Sequence, residues 1–331
     1  MSKIHVSVIR ELINNYSITE LQNELDARQR EKKEKRKAGE RRGLISTRGI
    51  PPRFSTKQVH EAFRSAQKLV YGADDRKDFY QLNGQQKKEC DSVVSLWKAS
   101  DIQDNGDGKS QLQTIKFGDA LNLCEKETFR EQPIGAFCSG FLVGPDLIVT
   151  AGHCVKNVND LTNTRFVFGY RMVNKKKART TIINSDIYKG KKIVGRKQDP
   201  GKGSDWCIVR LDRPVENHTH FKNIRKTGKI PDSAKVHVIG HPVGLPLKYA
   251  GGAWVRDNQN KSYAVCNLDT YGGNSGSPVI NDDKPYKIEG ILVRGDTDFR
   301  QVGDCQRSNV CPNTGCSGED VTRATEFADN L

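Results

Sequence analysis

The chain has 331 residues, of which 35% are hydrophobic, enough to bury a large core as one big β domain or two smaller ones and too many for a disordered tail. Lys and Arg outnumber Asp and Glu by 54 to 40, a net charge of +14 that favours nucleic acid, anionic surfaces or acidic proteins where it is concentrated. No apolar run is long enough to span a membrane, and the amino terminus, interrupted by Arg10, Glu11 and two asparagines, lacks the unbroken apolar stretch of a secretory signal; a cytoplasmic location is expected, with secretion as the alternative.

Residues 1–69 differ in kind from the rest of the chain. Apolar residues at helical spacing predict short amphipathic helices over 4–13 and 17–25, the second with Ser17 as cap and Glu20 completing a capping box. A basic block over 28–53, read as a solvated face or linker rather than a nucleic-acid site, ends at two prolines that exclude regular structure. A third helix is expected over 56–69. From Val70 onward the runs VVSLW, GFLVG, LIVTAG, FVFGY, WCIVRL, KVHVIG, SYAVCNL, SPVIN and IEGILVRG are separated by Gly, Pro, Asn and Asp clusters. That cadence predicts antiparallel β barrels or sandwiches.

Three lesser signals are read conservatively. The stretch DIQDNGDGKSQLQ lacks the ligand spacing of a calcium loop and is expected to be a polar hairpin. His218 and His220 have no obvious third ligand and read as a solvated loop rather than a metal site. Nine cysteines leave at least one unpaired within the chain. Cys305, Cys311 and Cys316 read as a pinned loop before they read as zinc ligands, and Cys207 reads as core.

The chemistry concentrates in three segments. Residues 269–279 read DTYGGNSGSPV, where so many glycines around one serine argue for a shaped loop that lets main chain approach closely and lets amides converge. A serine is a weak nucleophile until a histidine takes its proton and a buried carboxylate orients that histidine. The chain offers both in special settings: an apolar strand LIVT ends in Ala-Gly-His-Cys at 151–154, and Asp205 enters the apolar run WCIVRL.

These segments, in the order His, Asp, Ser, resemble the trypsin-like (chymotrypsin-fold) serine peptidases, and GGNSGSPV together with VYGADDR at 70–76 resembles their bacterial glutamyl-endopeptidase-like branch. The resemblance spans about 70–327. It implies an all-β fold of two six-stranded antiparallel Greek-key barrels, the first over about 85–212 and the second over about 225–310, with residues 1–69 as a propeptide-like or regulatory helical extension released by a cut near 68–70. It implies His153 as general base, Asp205 as its orienting carboxylate, Ser275 as nucleophile, the amides of Gly273 and Ser275 as oxyanion hole, and a disulfide between Cys138 and Cys154. Asn274 is uncharged, so the usual ion-pair switch of trypsin-like zymogens cannot operate here in that form.

By the same resemblance, Asp269, Thr270, Gly272, Val293 and Gly295 line the specificity pocket. Asp269 at its base would attract Arg or Lys before the cut; a structural role for Asp269 in the loop is the other reading, and a Glu or Asp preference is a further one, although Leu292 or Val293 stands where the branch has a histidine. Arg294 would oppose a basic substrate if it pointed inward. The expected partners are a polypeptide substrate and a regulatory protein contacting residues 1–69, with no metal or organic cofactor required. A protease-like scaffold that binds without cleaving is the rival from another class.

Overall fold

The computed structural model describes residues 74–199, 203–295 and 298–331, together with Glu24, Arg28, residues 53–55 and Val70–Tyr71. The helices expected over 4–13 and 56–69, nearly all of that expected over 17–25, most of the basic block and the proposed cut lie outside the described residues. Glu24 and Arg28 are helical and ion-paired at 2.7 Å, and Arg28 also donates to the Phe54 carbonyl at 2.7 Å.

Strand β1 (Arg76–Asp78) and helix α1 (Gly84–Cys90), whose Asn83 side chain caps the Gln86 amide, precede the first barrel. That barrel is built from β2 (Val93–Lys98), β3 (Cys138–Leu142), β4 (Leu147–Thr150), β5 (Thr164–Phe168), β6 (Ile187–Gln198) and β7 (Asp205–Leu211), closed in the order β5-β6-β7-β4-β3-β2. The second uses β8 (Lys235–Gly240), β9 (Lys248–Asp257), β10 (Tyr263–Cys266), β11 (Pro278–Asn281), β12 (Ile288–Arg294) and β13 (Glu319–Arg323). Its order is β8-β11-β12-β13-β10-β9, closed by pairing of β8 with β9, and β1 adds to the far side of β9. The expected pair of six-stranded antiparallel barrels is therefore present. The second extends to Arg323, beyond the boundary expected near 310.

The nine apolar runs picked out in the sequence each contain a strand, because side chains such as Val94, Phe141, Ile148, Phe166 and Ile208 in the first barrel and Val238, Val255, Val279 and Leu292 in the second have nowhere else to escape water. One continuous apolar cluster runs from Val94 and Phe141 to Ile280, Ile288, Ile291 and Phe327, fusing the barrels along their common wall. The stretch 102–112 forms the expected polar hairpin, Gln103 opposite Gln111.

Candidate active site

His153 stands just beyond the end of β4. Residues 151–154 turn against the first residue of β7, with a Cβ at Gly152 only 2.9 Å from Asp205 Oδ1 and 2.6 Å from the Lys197 carbonyl, so a side chain there has no room. His153 Nδ1 lies 2.7 Å from Asp205 Oδ2, and the His153 amide donates to Oδ1 at 3.0 Å. One residue thus occupies both carboxylate oxygens, fixing ring and backbone together. Nδ1–H facing a carboxylate selects the neutral tautomer whose lone pair is on Nε2. Asp205 is 3% exposed; burial alone would push its carboxyl up, but the His153 charge and hydrogen bonds, with Arg294 further off, outweigh burial and hold it below the ordinary carboxylate value. The Asp205 amide donates to Thr322 Oγ1 of β13 at 3.2 Å, tying this pair to the second barrel.

Ser275 is buried in the loop between β10 and β11, flanked by Gly273 and Gly276 at φ +86° and +93°, left-handed conformations that L side chains resist. Its carbonyl accepts the Ser139 amide of β3 at 2.9 Å and lies 3.6 Å from Cys154 Sγ, next to His153, so the loop is seated against the wall that carries the histidine. The Ser139 hydroxyl donates to the Gly273 carbonyl at 3.2 Å and accepts the His241 amide at 2.9 Å. Asp298 Oδ2 accepts the Gly272 amide at 2.8 Å. Among the described residues no acceptor takes the Gly273 N–H. Asn274 is buried, and its Oδ1 accepts the Ser277 hydroxyl at 3.1 Å.

The residues expected to line the pocket separate into two groups. Asp269 is buried with Oδ1 accepting the Tyr71 amide at 2.6 Å and Oδ2 the Asp75 amide at 2.8 Å; burial pushes its carboxyl up to about 6 against those hydrogen bonds. It holds the segment before β1 on the Ser275 loop, the structural role that the sequence left open. Val293 is packed into the apolar cluster between the barrels. Arg294 turns away, donating to Asp320 at 3.0 Å and to the Gly203 carbonyl at 2.7 Å. Thr270 and Gly295 instead meet around Glu319: the Thr270 hydroxyl donates to Oε2 at 2.9 Å, and Gly295 lies against the same carboxylate.

Ser139, Asp298, Glu319 and Thr322 escaped sequence reasoning. Each has its partner far along the chain, so no local pattern marks it. Cys138, His153 and Cys154 have ligand atoms within 4.8 Å of one another, but the two sulfurs are joined as the expected disulfide and offer no thiolate. Cys124 pairs with Cys305 and Cys311 with Cys316; Cys90, Cys207 and Cys266 are buried thiols. His218 is not the solvated loop residue expected: it stacks on Phe168 at 4.3 Å between Asp91 (2.8 Å) and Asp186 (3.3 Å).

Residues 138–285 match the family model of the trypsin-like peptidase domain. The glutamyl endopeptidase of Bacillus licheniformis is 24% identical over 148 residues, 43% of this chain and 45% of that protein, so the match spans under half of that relative's length. The venom plasminogen activator Haly-PA of Gloydius brevicauda is 26% identical over 194 residues, 49% of this chain and 68% of that one. A trypsin-like protease of Streptomyces glaucescens is 23% identical over 214 residues, covering 59% and 73%. A solved Glu endopeptidase in complex with MPD superposes with a TM-score of 0.47 at 16% identity, over 79% of this chain and 97% of that one.

Proposed function

We propose, on the match of residues 138–285 to the family model of the trypsin-like peptidase domain, that this chain is a serine endopeptidase acting on polypeptides. Ser275 Oγ attacks the scissile carbonyl while His153 Nε2 takes its proton; Asp205 keeps the ring in the required tautomer and stabilises the imidazolium. The amides of Gly273 and Ser275 receive the developing oxyanion, a donor pair of which each member is worth roughly 3–4 kcal/mol of barrier. His153 returns the proton to the leaving amine, and water then cleaves the acyl-enzyme. The observation that carries this reading is the 2.7 Å contact of His153 Nδ1 with a buried carboxylate that stays ionised against its burial.

Labelling with a fluorophosphonate, followed by peptide mapping, tests it. Modification of Ser275 and loss of peptide hydrolysis in Ser275→Ala are expected, and Asp205→Asn should lower kcat by roughly 10⁴. A folded chain that neither takes the label nor cleaves any peptide would reduce the protein to a binding scaffold.

Residues 1–69 are read as an extension that restrains the domain, or recruits a protein partner, until a cut near Val70. Support comes from the segment just after it: Val70 and Tyr71 pair with Val310 and Cys311, and Tyr71 and Asp75 donate to Asp269 on the nucleophile loop. An intact amino terminus in fully active enzyme, seen by mass spectrometry, would end that idea. Three disulfides suit an oxidising compartment, which favours export over the cytoplasmic location expected from the amino terminus.

A further inference from the structure

We propose that the hollow between helix α1 and the loop after β5 binds an acidic segment of a polypeptide, with Arg171 and Lys87 taking its carboxylates. The hollow is open to solvent, has a volume of about 340 Å³ and is lined by Phe79, Tyr80, Lys87, Arg171, Val173 and Arg179. It shares no residue with His153, Asp205 or Ser275, so the inference stands apart from the peptidase reading.

The fold builds both walls. Phe79 and Tyr80 belong to a single 3₁₀ turn, Phe79–Gln81, directly after β1, closed by the Asp78 amide donating to Gln81 Oε1 at 2.8 Å; Lys87 stands in the α1 that follows. Opposite them, the chain leaves β5 through Gly169 at φ +78°, and Tyr170 turns into the core, edge-on to Trp97 at 5.1 Å. Arg171, the next residue, is half-buried at the surface. The chain then doubles back, and the Arg179 amide donates to the Arg171 carbonyl at 2.8 Å, which sets two guanidinium-bearing residues side by side.

The charges around the hollow do not cancel. Asp186 lies 3.3 Å from Arg179 and 3.3 Å from His218, and Asp91 lies 2.8 Å from the other His218 nitrogen. Those two carboxylates are matched by two cations, Arg179 and a His218 that stays protonated up to about 9. Among the described residues Arg171 and Lys87 form no ion pair; the guanidinium lies 3.9 Å and the ammonium 5.7 Å from the centroid of the Phe79 ring. Burial, and then the Arg179 charge, hold the Arg171 guanidinium below its ordinary value in spite of Asp91 and Asp186, the mark of a cation short of counter-charge.

With one face on the ring, that guanidinium keeps its in-plane N–H groups for a carboxylate, which they grip in pairs. Lys175, Lys176 and Lys177, all exposed, add positive charge on the same loop. Phe79, Tyr80 and Val173, the last 52% exposed, supply apolar surface beside the cations. An acidic side chain with apolar neighbours in a peptide uses both features, whereas a bare inorganic anion gains nothing from the apolar part.

Calorimetric titration of the full chain carrying Ser275→Ala, which prevents digestion, tests the site. The probes are the blocked peptide Ala-Leu-Glu-Glu-Leu-Ala, its Gln-Gln counterpart and inorganic phosphate. The Glu peptide should bind at least about 10-fold tighter than the Gln peptide, the lower end of the range for hydrogen bonds to charged groups. Arg171→Gln should weaken the Glu peptide by about 10-fold and Lys87→Gln by about 3-fold. Lys261→Gln, which removes an exposed cation between β9 and β10, should leave it unchanged. Equal affinity for the two peptides, equal losses in Arg171→Gln and Lys261→Gln, binding of phosphate without the Glu peptide, or no binding of any probe overturns the proposal. If Arg171→Gln does not fold, the peptide pair and the contrast of Lys87→Gln with Lys261→Gln decide.

Discussion

Replacing Lys248 by methionine isolates the buried ion pair that seats β1 on the second barrel. Lys248 is 2% exposed, and its ammonium donates to Asp78 Oδ1 (2.5 Å), Gln132 Oε1 (2.7 Å) and the Pro246 carbonyl (3.0 Å). Asp78, 3% exposed, retains the Gln132 amide on Oδ2 (2.9 Å) once the ammonium is gone, leaving a buried carboxylate without its counter-charge. Removing one partner of such a pair costs about 3–5 kcal/mol. Changing both, Lys248→Met with Asp78→Leu, should restore most of that, short by about 1–3 kcal/mol for the stranded Gln132 amide.

The same pair has a pH signature. Burial pushes Lys248 down from 10.5 to about 8 in spite of Asp78. Between those values the unfolded chain holds a proton that the folded chain has released, so stability rises with pH across the window, by about 3 kcal/mol in all. Lys248→Met should lack that rise. Urea unfolding followed by tryptophan fluorescence, at pH 7 to 10.5 in a Ser275→Ala background that prevents self-digestion, measures both quantities. Subtracting the variant's profile from the parent's cancels the contribution of Cys90, Cys207 and Cys266, whose thiols burial keeps protonated in the folded state across this range while they ionise in the unfolded chain. A single variant within about 1 kcal/mol of its parent, or with an identical pH profile, would refute the reasoning.

Other perturbations probe the site and its supports. Burial lowers the His218 pKa, but hydrogen bonds to Asp186 and Asp91 more than compensate and raise it from 6.5 to about 9; the stabilisation is complete below pH 6.5 and drains away as pH climbs through 9. Thermal midpoints of His218→Gln between pH 6 and 9.5 should fall less steeply than the parent's. Cys138→Ala with Cys154→Ala opens a 16-residue loop and should cost about 3 kcal/mol, read by denaturant midpoint, with slower fluorophosphonate labelling because Cys154 adjoins His153. Gly152→Ala forces a methyl to within 2.6 Å of the Lys197 carbonyl and 2.9 Å of Asp205 Oδ1, and the resulting shift of His153 should lower kcat by about 10² with little change in KM. Unchanged kinetics would mean that the turn yields without moving the ring.

The sequence made the barrels legible wherever a strand is apolar on both sides. β4 (Leu147–Thr150) and β7 (Asp205–Leu211) are buried almost throughout and stand out as unbroken runs. β6 did not, because Lys189, Lys191, Lys192 and Lys197 occupy most of its exposed positions and its pairing with β7 shifts register twice, near Gly190 and Gly195. β9 is interrupted by Gly251 and Gly252 at a register shift against β8. β13, EDVTR, carries no apolar run to mark it, and its acidic residues find their partners far along the chain, Glu319 with Thr270 in the loop after β10 and Asp320 with Arg294 in β12. The histidine, aspartate and serine segments were legible because each carries its own glycine or strand context. The fate of Asp269 was not, since the amides that take its oxygens come from nearly 200 positions earlier.

The position of β13 also bears on when the chain becomes dangerous to the cell that makes it. As a nascent chain leaves the ribosome, the first barrel can close once Leu211 has emerged, but the second lacks the stave between β10 and β12 until residue 323 is out. Thr322 and Glu319 arrive on that last stave, so both the anchor of the Asp205 amide and the acceptor of the Thr270 hydroxyl are missing from every shorter intermediate. Translation order alone therefore withholds a finished cleft until residue 323 has been synthesised.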